Sequence, residues 1–448
     1  MKKTFLALFL IIMLTCTLLC PAVSAYQLAG FSVNAESVLL ASLDTGDVLY
    51  QKNDTARVYP AAITKIMVAL LMIENTPDLD GEIITITPSS IEALEGTDSA
   101  INLKPEEQLT ARQAIYYLLM ASSNECANAV AEHYGNGSIS GFIDMMNSRA
   151  EQLSMDGTHF ANAHGLHDEE HYTTAADVYK LTVEALKHDV FKEAFGSTRY
   201  SLAATNKQSA RTLVTTDYLH DRNNALGPNY FYRFATGGKT GFTDEAGRCL
   251  VSTAEKGGYR YICVLMKSSV YDASRNRVRL EFGDSMKLYD WAFDNFEHKT
   301  VVDTATPVAE AKVELCWEHD HVSLLLEGGL SAMLPKDADS STVQIKPHLS
   351  KEVYDAPIKK GEIMGTADIV YAGETLGTVN LLAAESRDAN YVLVAMRWLE
   401  RAVKSLAFKI VLAVIVLVII GFVIAVLIMN RKSKKRHNRR GYKGFSKH

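Results

Sequence analysis

Cysteine is scarce in this chain: six in 448 residues, two of which, Cys16 and Cys20, fall in an N-terminal leader. Cys126, Cys249, Cys263 and Cys316 remain, and their spacing fits no metal-binding motif. Cys249 and Cys263 lie on strand-like runs either side of Lys256–Gly257–Gly258, where they could face one another across a hairpin; the plainer expectation is four buried thiols. Acidic residues are absent from residues 431–448, which hold nine Lys or Arg. The net charge of −6 therefore leaves the rest of the chain at about −15. A mildly acidic body with a basic tail points to a membrane-topology signal and away from nucleic acid as a partner.

The two ends carry the apolar runs. Met1–Lys2–Lys3, the apolar Phe5–Leu14 and the small-residue pattern Val23–Ser24–Ala25 make residues 1–25 a signal peptide. Leu19 ahead of Cys20 fits a lipoprotein signal poorly. Near the other end, residues 410–429 hold no charge and are long enough to span a bilayer. The basic tail, residues 430–448, is expected in the cytoplasm. The body is then expected outside the cell membrane, on a single-pass anchor. Within residues 388–409, Tyr391, Ala395, Trp398, Leu399, Ala402 and Leu406 recur at helical spacing, with Arg397, Arg401 and Lys404 between them. That pattern predicts a helix lying along the membrane surface.

Between these ends the texture changes once. Residues 26–296 read as helices followed by an antiparallel sheet and a closing helix, an α+β domain. Ser37–Leu43 and Val48–Tyr50 form a hairpin around Asp44–Asp47. Ala61–Glu74 is apolar on every face, which predicts a buried helix. Thr110 and Gln113 form a capping box for a helix reaching Met120, and a further helix spans Glu125–Tyr134. Helices are also expected over Ile139–Leu153, Ala175–His188 and Arg275–Phe296, with a hairpin of Arg248–Ser252 and Tyr259–Lys267. Residues 297–387 read instead as short alternating strands, at Ala311–Trp317, His321–Glu327, Thr342–Pro347, Gly361–Tyr371 and Thr375–Leu382, which predict a small β-domain.

Three short stretches carry chemistry. Lys65 sits inside the buried helix, where a lysine is rarely found without a partner or a purpose. Ser122–Ser123–Asn124 falls between two helices, where a helix cap is the ordinary role. Lys239–Thr240–Gly241 opens a strand-like run. In this order the three resemble the active-site set of penicillin-binding proteins and serine β-lactamases. Pro60–Met67, Leu94–Thr97, Asn162–Leu166 and Lys239–Thr243 extend the resemblance over residues 30–390, to the D-alanyl-D-alanine carboxypeptidases among the low-molecular-weight penicillin-binding proteins.

The resemblance implies a transpeptidase-like α+β fold, a following β-sandwich module and no cofactor or metal. His159, His164, His167 and His171 with Asp168, Glu169 and Glu170 would otherwise invite a metal; by resemblance they border the cleft. It also implies Lys65 as general base, Ser122 as proton relay, Asn124 holding the peptide, Lys239 and Thr240 receiving the terminal carboxylate, and Gly241 and Phe242 continuing the binding strand. The oxyanion hole would use the backbone N–H groups of position 62 and Phe242.

One position departs from the pattern. The family's S-x-x-K requires a serine three residues before Lys65, and Ala62 stands there. The expected substrate is the peptidoglycan stem pentapeptide, whose terminal D-Ala the family removes in cell-wall biogenesis. The chain as written is expected to bind such peptides, and β-lactams non-covalently, while acylating poorly or not at all. The alternatives are a working carboxypeptidase with an unseen nucleophile or a sequence difference at 62, a catalytically dead wall-binding or scaffold protein, a substrate-trapping variant of an active enzyme, and a β-lactamase-like hydrolase. The last is disfavoured because Ser123 stands where that class prefers Asp.

Overall fold

The structure is a computed structural model; it describes residues 32–97, 100–272, 274–302, 304–317, 319–338, 343–371 and 373–440. The expected signal peptide and residues 441–448 of the basic tail lie outside them. The chain forms two compact units. One runs to Lys299 and takes back Ser331–Asp339; the other comprises Thr300–Leu330 and Ser340 onward.

The first unit is built on a five-stranded antiparallel sheet. Its strands are β1 (Ser37–Ser42), β2 (Val48–Lys52), β3 (Ala235–Thr243), β4 (Gly247–Lys256) and β5 (Tyr259–Ser268), in the order β2-β1-β5-β4-β3. The first two strands pair with the last three across some two hundred residues of intervening helices. One face of the sheet covers a core containing α1 (Lys65–Asn75), whose residues Lys65–Met72 are all buried. Around α1 lie α2 (Ala111–Tyr116), α3 (Asn124–Tyr134), α4 (Ile139–Gln152), α5 (Ala175–Ala185) and α6 (Asp189–Phe195). The other face packs on α7 (Leu280–Asn295) through Phe282, Leu288, Tyr289 and Phe293.

Several elements start or stop differently from the sequence reading. The apolar helix opens with a 3-10 turn over Ala61–Thr64 before α1 begins at Lys65. The capping box forms: Thr110 accepts from the Gln113 amide N–H, and Gln113 accepts from that of Thr110. The helix it starts then widens into a π-turn, Tyr117–Ala121, before breaking at Ser122. The helix expected to reach His188 ends at Ala185, and α6 follows it. The closing helix starts at Leu280, five residues later than expected.

Cys249 and Cys263 do not face one another. Cys263 pairs in register with Ser252, and Cys249 with Gly241. The two thiols serve opposite faces of the sheet, Cys249 in the helical core and Cys263 against α7. Successive side chains of a strand alternate between the faces, so the register decides which face each thiol takes. Cys126, Cys249 and Cys263 are free and buried, while Cys316 is only partly covered, so the expectation of four buried thiols is corrected at Cys316.

The second unit is all-β with C-terminal helices. Its strands are β6 (Ala309–Glu314), β7 (His321–Leu326), β8 (Gln344–Leu349), β9 (Val353–Asp355), β10 (Ile363–Tyr371) and β11 (Glu374–Ala383). They form one six-stranded sheet in the order β8-β10-β11-β7-β6-β9. The alternation read in the sequence gives the buried residues: Ala311 and Val313 on β6, Val322, Leu324 and Leu326 on β7. The short β9, parallel to β6, has no counterpart in the sequence reading. Helix α8 (Tyr391–Lys404) follows, then α9 (Leu406–Arg440), whose segment Leu406–Met429 is long and apolar enough to cross a membrane.

Candidate active site

The site begins with the backbone ahead of α1. Pro60 starts the 3-10 turn and Ala61 takes a left-handed conformation, φ 48°. That conformation is unfavourable for a residue with a Cβ, so neighbouring contacts must hold it. A polar chain does so. The Ala161 N–H donates to His171 Nδ1 at 2.9 Å, leaving His171 Nε2 as the donor to Thr64 Oγ1 at 2.7 Å. Thr64 Oγ1 in turn donates to the Ala61 carbonyl at 2.8 Å. Burial, with smaller contributions from nearby charges, pulls His171 down to about 3, so it is neutral at physiological pH.

Lys65 is fully buried. Its ammonium nitrogen donates to Asn124 Oδ1 at 2.6 Å and to the His164 carbonyl at 2.5 Å. Burial pulls it down to about 7, against an upward pull from the Glu125 carboxylate. Glu125, also buried, accepts the backbone N–H groups of Asn102 and Leu103. His164 is lowered to about 4, chiefly by burial and then by Lys65.

The S-x-N segment is aimed by the π-turn before it. Ser122 is left-handed, φ 57° and ψ 34°. The helix cap is Ser123, whose hydroxyl accepts the Cys126 N–H at 3.1 Å. With that task filled by the middle residue, Ser122 and Asn124 present their side chains to the cleft. Lys239, buried on β3, donates to Ser122 Oγ at 2.9 Å and to the Thr240 carbonyl at 2.7 Å. Burial and the nearby Lys65 hold Lys239 well below the ordinary lysine range. Thr240 Oγ1 shares a hydrogen bond of 2.7 Å with Thr216 Oγ1.

Strand β3 passes backbone-close to position 62. A Cβ on Gly241 would stand 3.0 Å from the Ala62 nitrogen and 3.1 Å from the Pro60 carbonyl oxygen. From the other side Gly165, φ +85°, comes nearer: a Cβ there would be 2.0 Å from the Ala61 carbonyl oxygen. Ala62, Ser122, Asn124, Thr240, Gly241 and Phe242 thus line one cleft of about 300 Å³, with Lys65 and Lys239 bonded to its lining residues.

The sequence reading missed Thr216, Tyr218, Arg248 and Arg279, which also line it. Arg248 donates to the Val278 carbonyl and lies 5.2 Å from the Phe242 ring centre; Arg279 bonds Glu281 at 2.5 Å. The spacing Arg277-x-Arg279 before the closing helix was the available signal, but isolated arginines are ordinary on a surface.

Two lysines, a serine and an asparagine around one cleft, with strand β3 close to the backbone of position 62, form a site suited to acyl transfer if a nucleophile stands at 62. Residues 22–270 match the family model described as D-alanyl-D-alanine carboxypeptidase, and residues 296–389 match the C-terminal domain of penicillin-binding protein 5. The chain is 31% identical over 351 residues to the D-alanyl-D-alanine carboxypeptidase DacF of Bacillus subtilis, covering 78% of this chain and 85% of the relative. It is 29% identical over 371 residues to DacC of Escherichia coli, covering 79% and 84%. The fold matches penicillin-binding protein 5 from Haemophilus influenzae with a TM-score of 0.62 at 22% identity, over 81% of this chain and 99% of that one. With its α+β domain, its C-terminal all-β domain and its cleft, this chain belongs to the D-alanyl-D-alanine carboxypeptidase family.

Proposed function

We propose that this protein recognises the D-Ala-D-Ala end of peptidoglycan stem peptides and does not form an acyl-enzyme at position 62. The observation that carries this is the methyl group of Ala62 in an otherwise complete site. In the assigned roles, Lys239 and Thr240 take the terminal carboxylate, with Arg248 and Arg279 adding positive charge. Asn124 holds the peptide, and the N–H groups of Ala62 and Phe242 polarise the scissile carbonyl. Lys65, near neutrality at pH 7, would serve as base and Ser122 as relay.

A methyl group cannot attack a carbonyl, although the backbone donors survive a serine-to-alanine change. In a serine protease, loss of the nucleophile costs about 10⁶ in turnover, with the residue coming from binding and the oxyanion hole. Thr64 does not substitute, because its hydroxyl is committed to the Ala61 carbonyl and His171.

We further propose that the protein is a single-pass membrane protein with its body on the extracytoplasmic side. Helix α8 supports this reading, because it is turned inside out for a soluble helix. Arg397 on its polar side pairs with Glu314 and Asp355 of the β-domain, while Tyr391, Met396, Trp398 and Leu399 are exposed. An outward apolar face directly ahead of Leu406–Met429 suits the headgroup boundary.

The test incubates the full-length protein in detergent with penicillin, beside Ala62→Ser, and reads intact mass. One penicilloyl adduct on the serine variant alone is the expected result. An adduct on the unaltered chain would overturn the reading, and peptide mapping would identify the nucleophile used.

A further inference from the structure

One short segment, Thr215–His220, braces both walls of the cleft from behind. The Thr216 N–H donates to the Met120 carbonyl at 3.2 Å, on the π-turn that aims Ser122. Its hydroxyl meets that of Thr240 on β3. The next residue, Asp217, turns inward and is fully buried. Its carboxylate accepts the Leu219 N–H at 2.9 Å and His220 Nδ1–H at 2.8 Å. The His220 imidazole is itself only 4% exposed. These bonds hold the carboxylate against the backbone of β3, one residue before Lys239. A Cβ on Gly238 would stand 2.3 Å from Asp217 Oδ2 and 2.8 Å from the carboxyl carbon, so the approach needs glycine.

A buried carboxylate is costly unless its charge is used. Lys239 is the neighbouring buried charge. Its ammonium donates to two uncharged oxygens, Ser122 Oγ and the Thr240 carbonyl. Burial, and then the charge of Lys65, favour loss of its proton; the Asp217 charge opposes them. In a low-dielectric interior a carboxylate acts on a nearby ammonium without touching it. The other titratable groups around the pair are Glu125 beside Lys65, Asp221 beside His220, and Tyr289, whose hydroxyl donates to the Ser252 carbonyl opposite Gly238. A lysine that reads a substrate carboxylate must keep its proton.

We propose that Asp217 is a positioning residue for Lys239: fixed behind Gly238 by His220, its carboxylate holds the ammonium in its charged form at the end of the cleft that receives the terminal carboxylate of the peptide. The inference rests on the cleft reading above and deepens it. Asp217 touches no ligand and acts through Lys239.

The test is calorimetry on the full-length protein in detergent with N-acetyl-L-Lys-D-Ala-D-Ala and with its C-terminal amide, across a pH series through the neutral and alkaline range. Affinity for the free acid should fall at the alkaline end as Lys239 loses its proton. In Asp217→Asn, which keeps the shape and an acceptor for the Leu219 N–H, that fall should begin about one pH unit earlier, a loss of about tenfold on the alkaline side. Affinity for the amide should not move. Lys65 titrates in both proteins, so the comparison isolates Lys239. Gly238→Ala displaces the carboxylate without removing its charge and should shift the profile the same way; it decides the matter if Asp217→Asn does not fold. An unmoved profile, with acid and amide weakened alike or not at all, means that Asp217 does not act on Lys239; it overturns the inference and leaves the cleft reading standing. If the unaltered protein binds neither peptide, or binds acid and amide equally, the cleft reading falls and the inference with it.

Discussion

At the scale of single residues, the two buried lysines decide what the site can do and what it costs. Removing an ammonium from water is expensive, and Lys65 answers by giving up its proton already near pH 7, pulled down to about 7 by burial. The consequence for stability has a definite sign. With a folded value near 7 and an unfolded value near 10.4, the unfolded chain binds more protons between those limits. Lys65 therefore lowers stability most at and below pH 7, and the penalty fades as pH rises. The urea midpoint of the unaltered chain should climb between pH 7 and pH 9, and Lys65→Met should flatten that climb. A parallel rise in both proteins would show that Lys65 is not the group responsible. In the Ala62→Ser background the same value predicts acylation that increases through about pH 7 as the base becomes neutral.

At the scale of elements, the turn ahead of α1 is held from outside. Its left-handed Ala61 is pinned by the His171–Thr64 chain and is closely approached by Gly165. Gly165→Ala should lower stability by about 2–4 kcal/mol, combining a positive φ with a backbone clash, and should slow acylation of the Ala62→Ser protein. Gly137→Ala has a similar φ, +81°, with no atom within 4 Å of the added Cβ, and should lose only about 1–2 kcal/mol. Equal losses in chemical denaturation would mean that the close approach contributes nothing. Helix α8 is likewise fixed from outside, by Arg397 and by Asn390, whose N–H donates to the Leu315 carbonyl at 2.7 Å. Its register on the β-domain is thus set by polar contacts, leaving the apolar side uncommitted.

At the scale of the whole molecule, the charge distribution and the apolar segment Leu406–Met429, long enough to cross a membrane, support the membrane anchoring proposed above. Deleting residues 406–448 should move the protein from floated vesicles to the soluble fraction. In the full chain, Trp398 fluorescence should be quenched by lipids brominated near the headgroup and much less by lipids brominated at the chain ends. Deep-chain quenching instead would mean that α8 inserts rather than lying along the surface. The two compact units divide after Lys299, with Ser331–Asp339 returning to the first, and a peptidase model and a C-terminal-domain model match the chain separately.

The sequence by itself determined the family, the apolar helix that buries Lys65, the S-x-N and K-T-G segments, the alternating strands of the second unit and the apolar C-terminal run. Each is a local signal: periodicity, a cap, or a short motif whose residues lie close together in the chain. It also determined that position 62 is alanine. Only the tertiary structure decided that Ser123, not Ser122, caps α3, and that Cys249 and Cys263 lie on opposite faces of the sheet. It alone brought Thr216, Tyr218, Arg248 and Arg279 to the cleft, and Asp217 to the backbone of Gly238. These depend on strand register and on loops meeting across dozens of residues, and no local pattern records which distant side chains will share a face.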